Sequence, residues 1–566
     1  MSAGREALLL VAVCAALYLT GAGSIPFYTR GEPREGLVVQ EMLRTGAWLV
    51  PARPDGEPAR KPPLYYWSAA VTLRALPGEP ELALRLPSAL FATAGVLTTW
   101  ATARVAIGAA AGLPAALVLA TAFEWTRAAT SARVDMALAA ALTLVLAGWT
   151  IALARDSRWP LALAAAGALL GSLAKGPVAL VLPGLAAAPF VFTDRGAWRR
   201  IRPLAVLGLA AGLAALWYWT AFRREGGAFL EVVARENWLR FLEPETAETG
   251  HAHGPGYLLP LGLVGLLPWT PLLPLLLLPL RTRPRPTTSA LAAAWAATGM
   301  IFFTLAAAKR SVYLLPIYPA VALLIGAGVS ASSTSERIAR ATRLCAQLYA
   351  PGAIVLALTA GALALGFEPT RLLGRWLSPP DAAGAATLAV TARSASLPLL
   401  LLAFVTAVMS PLLARAVRQS EWRRLVIGVT ALMVAWTASF DSLLHPAIAQ
   451  DRSLKSFCAR VANLLPPDAT LYALFPPDPG LRFYAPRPLH AWPAEGASAD
   501  ASLLLWEDEW LRLRDGAGRP LSVLAVSEAR QAPRGHVALV VPPHGPLVPA
   551  RNTPGVPPPV GLRTGR

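Results

Sequence analysis

The polar chemistry of this 566-residue chain is gathered in a few short segments set between long apolar ones. The first, Gly31–Trp67, carries Glu32, Arg34 and Glu35, then Lys61-Pro62-Pro63 and Tyr65-Tyr66-Trp67. A carboxylate held at a bilayer surface can take a proton from an acceptor hydroxyl. The same three residues could equally form an ion pair within a solvated loop. Lys61 precedes two prolines that stiffen the backbone, beside aromatics suited to the headgroup belt. There it can bind a lipid phosphate, or simply snorkel to headgroups.

Further along, Arg133-Val134-Asp135 opens an apolar run. Ionisable groups at membrane depth are costly and tend to face a cavity beside a partner, although a helix start also favours an acid. Lys175-Gly176-Pro177 lies between two apolar runs with almost no loop around it. The third outer loop carries Asn237, Arg240 and Phe241, followed by His251 and His253. Two histidines without a third ligand are weak evidence for a metal, so exposed loop histidines are expected and no cofactor is implied. Lys309-Arg310 then precede Tyr313. Lys61, Lys175, Arg240 and Lys309 place cations where an outer membrane face should have few, and an anionic lipid-linked ligand accounts for them.

The elements that must position these residues are membrane helices. With 55% apolar and 15% charged residues, the chain is an integral membrane protein. A span takes roughly 20 apolar residues, and the apolar runs supply about thirteen. They lie near 7–24, 83–104, 109–124, 133–153, 160–192 (two), 203–221, 256–280, 289–307, 313–330, 349–366, 393–414 and 424–440. The first reads as a retained span, since it lacks a basic front and a small-residue cleavage site. The net charge of +18 sits in alternate loops, as at Arg195–Arg202, Arg281–Arg285, Arg337–Arg343 and Arg415–Arg424. Positive-inside statistics then place the N-terminus in the cytoplasm and Gly31–Glu81, Arg223–Pro255 and everything after about Asp441 outside. No nucleic-acid motif accompanies the charge.

Residues 1–440 thus form a transmembrane domain with outer loops, and 441–545 read as a small α/β domain. Leu454, Phe457, Cys458, Val461 and Leu465 have helical spacing. Short strands are expected at Ala469–Phe475, Leu503–Trp506, Leu521–Val526 and Val537–Val541. The Pro/Gly-rich residues 546–566 read as disordered. Cys14, Cys345 and Cys458 are too scattered for a disulfide framework.

At these motifs the chain resembles the bacterial GT-C glycosyltransferases related to the lipid A aminoarabinose transferase and, more distantly, the dolichyl-phosphate-mannose protein mannosyltransferases. The matching pieces are Glu32-x-Arg34, Gln40-Glu41-Met42-Leu43, Gly46-x-Trp48-x-x-Pro51, Lys61-Pro62-Pro63-Leu64-x-x-Trp67, Asp135, Lys175-Gly176-Pro177, Asn237-x-x-Arg240-Phe241, Pro268-Trp269, and Phe302-Phe303 through Lys309, Tyr313 and Pro316. They stand in the family's order across residues 1–330. Leu481-Arg482-Phe483-Tyr484-x-x-Arg487 looks like that family's C-terminal domain.

The resemblance implies an all-α polytopic GT-C fold with a small α/β domain outside. It implies a polyprenyl-phosphate sugar donor, inversion at the anomeric carbon, and an envelope acceptor at the outer face of the bacterial inner membrane. Arg34, Lys61, Arg240 and Tyr313 fall where the family binds the donor phosphate or lines its cavity, with Lys175 and Lys309 as further cations. Glu32, Glu35 and Asp135 are the candidate catalytic carboxylates. Gly31 stands where the family usually has Asp, and Glu35 where it often has Tyr, so the base is Glu32 or Glu35 in that loop. Arg60 and Asn237 replace a Glu and a His of the aminoarabinose branch, which argues against a metal site and against that sugar. A protein O-glycosyltransferase of the same fold is the rival within enzymes. A lipid or sugar transporter should carry ionisable groups near the bilayer midplane in paired halves, and no halves repeat here. An inactive envelope scaffold is the third reading.

Overall fold

The computed structural model describes residues 2–155, 157–236, 253–281, 286–331, 336–465, 469–474, 478–492, 502–516, 522–527 and 536–541. They divide into two compact units. The first comprises Met1–Ile25, Glu35–Glu368 and Leu388–Pro446, and the second Pro26–Arg34, Pro369–Thr387 and Ala447–Arg566.

The first unit is helical, as the apolar runs require. A backbone in lipid must satisfy its own hydrogen bonds, and a helix does so within one segment. Among the described residues eight helices are long and apolar enough to cross a membrane, or up to ten if each of two bent pairs is one span. The pairs are Ala109–Ala120 with Phe123–Ala129, bent by 65°, and Pro255–Gly265 with Thr270–Arg281, bent by 98°. Pro160–Lys175 and Val178–Thr193 are apolar but shorter. The about thirteen runs counted by hydropathy, at roughly 20 residues each, therefore include broken and short helices that length alone does not separate.

Asp135–Arg155 lies at the centre of this unit, with nearly every residue from Met136 to Leu153 buried. The next helix, Pro160–Lys175, runs back along it. Small residues let the two backbones close up. A Cβ on Gly167 would stand 2.5 Å from the Ala141 carbonyl oxygen, and one on Gly148 would stand 2.4 Å from that of Pro160. Because the two helices are antiparallel, the last residue of one, Lys175, faces the first of the other, Asp135. Gly176 ends the second helix with φ +86°, a conformation that costs a glycine little.

The polar segment after the first span is not one loop. It contains the helices Gly31–Thr45 and Leu64–Ala75, joined by a strap pinned through the Ala52–Pro58 bridge. Trp67 Nε1 donates to the Trp48 carbonyl at 2.7 Å and Trp217 Nε1 to that of Leu49 at 2.9 Å, which ties the strap to two helices.

The second unit is built on five strands: β1 (Leu471–Ala473), β2 (Leu489–Ala491), β3 (Ser502–Trp506), β4 (Ser522–Val526) and β5 (Val537–Val541). Their order is β2-β1-β3-β5-β4. β1 runs parallel to β2 and β3, while β5 is antiparallel to β3 and β4. Central β3 is buried on both faces, which explains its unbroken apolar sequence. Leu504 and Trp506 pack on Leu454, Phe457, Cys458, Val461 and Leu465, the apolar face of helix Lys455–Leu464. Leu503 and Leu505 pack on the other side with Val540 and Trp510. Pro26–Arg34 belongs to this unit through Phe27: its N–H donates to the Tyr484 hydroxyl at 2.7 Å and its carbonyl accepts from Ser453 at 2.8 Å. Residues 546–566 lie outside the described residues.

Candidate functional site

The antiparallel helix pair delivers two of the singled-out residues to one place. Lys175 Nζ is ion-paired with Asp135 Oδ1, both side chains less than a fifth exposed. The same ammonium lies 4.8 Å from the centre of the Tyr313 ring, a cation–π distance. Tyr313 sits on the short 3₁₀ turn Ser311–Ile317, held by Arg127: its guanidinium grips Glu124, with Nε 2.9 Å from Oε2, and reaches Ser311 Oγ at 3.4 Å.

Lys175, Asp135 and Tyr313 line a cavity of about 190 Å³. Its remaining wall is apolar, Val178, Val181, Phe302 and Phe303 among its residues, and Glu236 completes it. Glu236 Oε2 accepts from Lys61 Nζ at 2.5 Å. The motif lysine is thus brought to the cavity through an acid. A ring of ionic groups against an apolar wall suits a ligand with a charged head and a hydrocarbon tail.

Other candidates fall as follows. Glu35 is buried and accepts from the Tyr66 hydroxyl at 2.7 Å. Lys309 is buried beside the cavity, where Nζ donates to the Ala306 carbonyl at 2.7 Å. Glu32, buried, and Arg34, exposed, are counted with the second unit. Arg240, Asn237 and His251 lie outside the described residues. His253 stacks on Tyr257, ring centres 3.7 Å apart.

Over 95% of its length the chain superposes on ArnT from Cupriavidus metallidurans, solved bound to undecaprenyl phosphate, covering 98% of that chain with a TM-score of 0.75 and 22% identity. The fold is that of ArnT. The ligand-free ArnT crystal structure matches nearly as well, with a TM-score of 0.74. In sequence, an undecaprenyl phosphate-α-4-amino-4-deoxy-L-arabinose arabinosyl transferase of Pseudomonas fluorescens is 30% identical over 318 residues, 55% of each chain. The corresponding transferase of Pectobacterium carotovorum is 28% identical over 372 residues, 63% of this chain and 65% of its own. The matched stretch therefore spans less than two thirds of either relative. Residues 60–219 match the family model described as dolichyl-phosphate-mannose-protein mannosyltransferase. The GT-C likeness read from the motifs is borne out, and with it the polytopic helical fold class.

The structure adds residues that the motifs did not flag. Glu236 directly precedes Asn237 of the Asn-x-x-Arg-Phe motif, and an acid abutting a motif that otherwise supplies a cation was the available signal. Arg127 and Glu124 are three apart on the short helix Phe123–Ala129, a spacing that places them on one face.

Proposed function

We propose that this chain is an inverting glycosyltransferase that moves a sugar from a polyprenyl-phosphate donor to a cell-envelope acceptor such as lipid A, another lipid or a glycan. It works at the periplasmic face of the bacterial inner membrane, with the N-terminus cytoplasmic and the C-terminal unit periplasmic. The observation that carries this reading is the cavity, where the Lys175–Asp135 pair and the Tyr313 ring meet walls made by Val178, Val181, Phe302 and Phe303. Such a site recognises a phosphate and the start of an isoprenoid chain together. The relatives, undecaprenyl phosphate-α-4-amino-4-deoxy-L-arabinose arabinosyl transferases by name, support the donor class.

The reaction is a single displacement. The acceptor hydroxyl attacks the anomeric carbon opposite the phosphate, the carbon–oxygen bond to phosphate breaks, and its electrons leave with the polyprenyl phosphate. A carboxylate takes the hydroxyl proton, for which Glu32, Glu35 and Asp135 are the candidates. The charge growing on the departing phosphate most needs stabilising, and Lys175 and Lys61 are the cations assigned to it, with Arg240 and Lys309 as further donors. No metal is assigned a role.

The test is transfer of labelled sugar from a panel of polyprenyl-phosphate sugars to an envelope extract by purified protein. Lys175→Ala should abolish transfer, and one of Glu32→Gln, Glu35→Gln and Asp135→Asn should do so while donor still binds. Failure of the wild-type protein to bind any polyprenyl-phosphate sugar would overturn the reading.

A further inference from the structure

The two lysines assigned to the donor phosphate already hold carboxylates, Lys175 on Asp135 and Lys61 on Glu236. The two acids are held in different ways. Asp135 opens a 21-residue helix whose following turns are buried, and the helix N-terminus favours its charge where it stands. Glu236 stands on the π-helical turn that continues the eight-residue helix Gly227–Ala234, at the edge of the cavity.

Position distinguishes them further. Glu236 lines the cavity and Lys61 does not, so the carboxylate stands on the cavity side of the pair. A phosphate entering that ring brings negative charge beside two acids, and repulsion is relieved only if one of them gives way. The acid that lines the cavity in front of its lysine is the one placed to yield.

We propose that Glu236 is the exchangeable counter-ion of the donor site. It neutralises Lys61 while the cavity holds no phosphate, cedes Lys61 to the donor phosphate on binding, and competes for Lys61 again after transfer. This rests on the donor reading above. The competition matters most at the end of the cycle. The donor is a phosphodiester with one negative charge, whereas the polyprenyl phosphate left behind is a monoester carrying about 1.5 to 2 negative charges at neutral pH. Product would hold Lys61 more tightly than substrate did, and a returning carboxylate speeds its release.

The experiment measures the affinity of undecaprenyl phosphate for the purified full chain in detergent, with thermal midpoints recorded alongside. Glu236→Gln should bind about fivefold or more tightly than wild type, in the range of ordinary coupling between sites. Glu236→Asp, which keeps the charge, should stay near wild type, and Lys61→Ala should weaken binding and cancel the gain in the double variant. Unchanged or weaker binding by Glu236→Gln overturns the exchange while leaving the donor reading intact. So does a gain that persists without Lys61. Absence of binding by wild type and every variant overturns the donor reading and the exchange with it.

Discussion

The Tyr66 hydroxyl donates to Glu35 Oε2 at 2.7 Å, and both residues are buried. The bond joins helix Gly31–Thr45 to the helix that follows the Lys61-Pro62-Pro63 turn. A buried carboxylate that loses a donor keeps its desolvation cost, so Tyr66→Phe should destabilise the protein by about 1.5–3 kcal/mol. Thermal unfolding in detergent checks it, and an unchanged midpoint would show that Glu35 is satisfied elsewhere.

The Lys175–Asp135 pair predicts a non-additive mutant cycle. Replacing either partner leaves its mate uncompensated in the cavity wall, at a cost of about 3 kcal/mol. Lys175→Met with Asp135→Leu should cost less than the two single changes summed, because no lone charge remains. Stability of the four proteins tests this. Transfer activity should be lost in both variants that lack Lys175.

Helix approach is tested at glycine. A side chain on Gly167 collides with the Ala141 carbonyl and lies 2.9 Å from Leu144 Cβ. Gly167→Val should therefore cost at least about 1–3 kcal/mol through overpacking and displace Lys175 from Asp135. Gly208, with nothing within 4 Å, is the control. Gly208→Ala should leave stability the same or raise it by up to about 1 kcal/mol.

In the second unit, burial pushes the Cys458 thiol up to about 12. A raised value means the neutral thiol dominates, with roughly one thiolate in ten thousand at pH 8. Cys458 should resist maleimide at that pH until this unit unfolds, when labelling becomes fast. Rapid labelling of the native protein, followed by mass spectrometry of the peptide, would contradict the packing.

What the sequence made legible follows from where polarity and pattern carry information. Lys175 and Asp135 each stood out as ionisable groups at the ends of apolar runs, but their pairing did not. Helix Asp135–Arg155 is buried on all sides, so it has no polar stripe to reveal which face meets which neighbour. The close approach that fixes the pair is made at Gly148 and Gly167, two among 44 glycines. Glu236 escaped notice because loop acids are ordinary until one is seen holding a motif lysine. In the second unit, the helix near 455–464 and strands β1, β3, β4 and β5 follow from periodicity and apolar runs. β2 does not, since Leu-His-Ala is short and largely exposed. Nor could composition assign Pro26–Arg34 to that unit, when the deciding partner of Phe27 lies 457 residues away.

That separation sets an order of events during synthesis. Phe27 leaves the ribosome among the first residues, while Ser453, Phe483 and Tyr484, which surround it in the finished protein, are made after nearly the whole membrane domain. Between those moments an aromatic side chain waits without its pocket, through the insertion of every intervening span. A chain cut before residue 447 would leave Phe27 bare for good, and the severed C-terminal piece would lack a residue of its own packing. The segment made first is thus among the last to find its place.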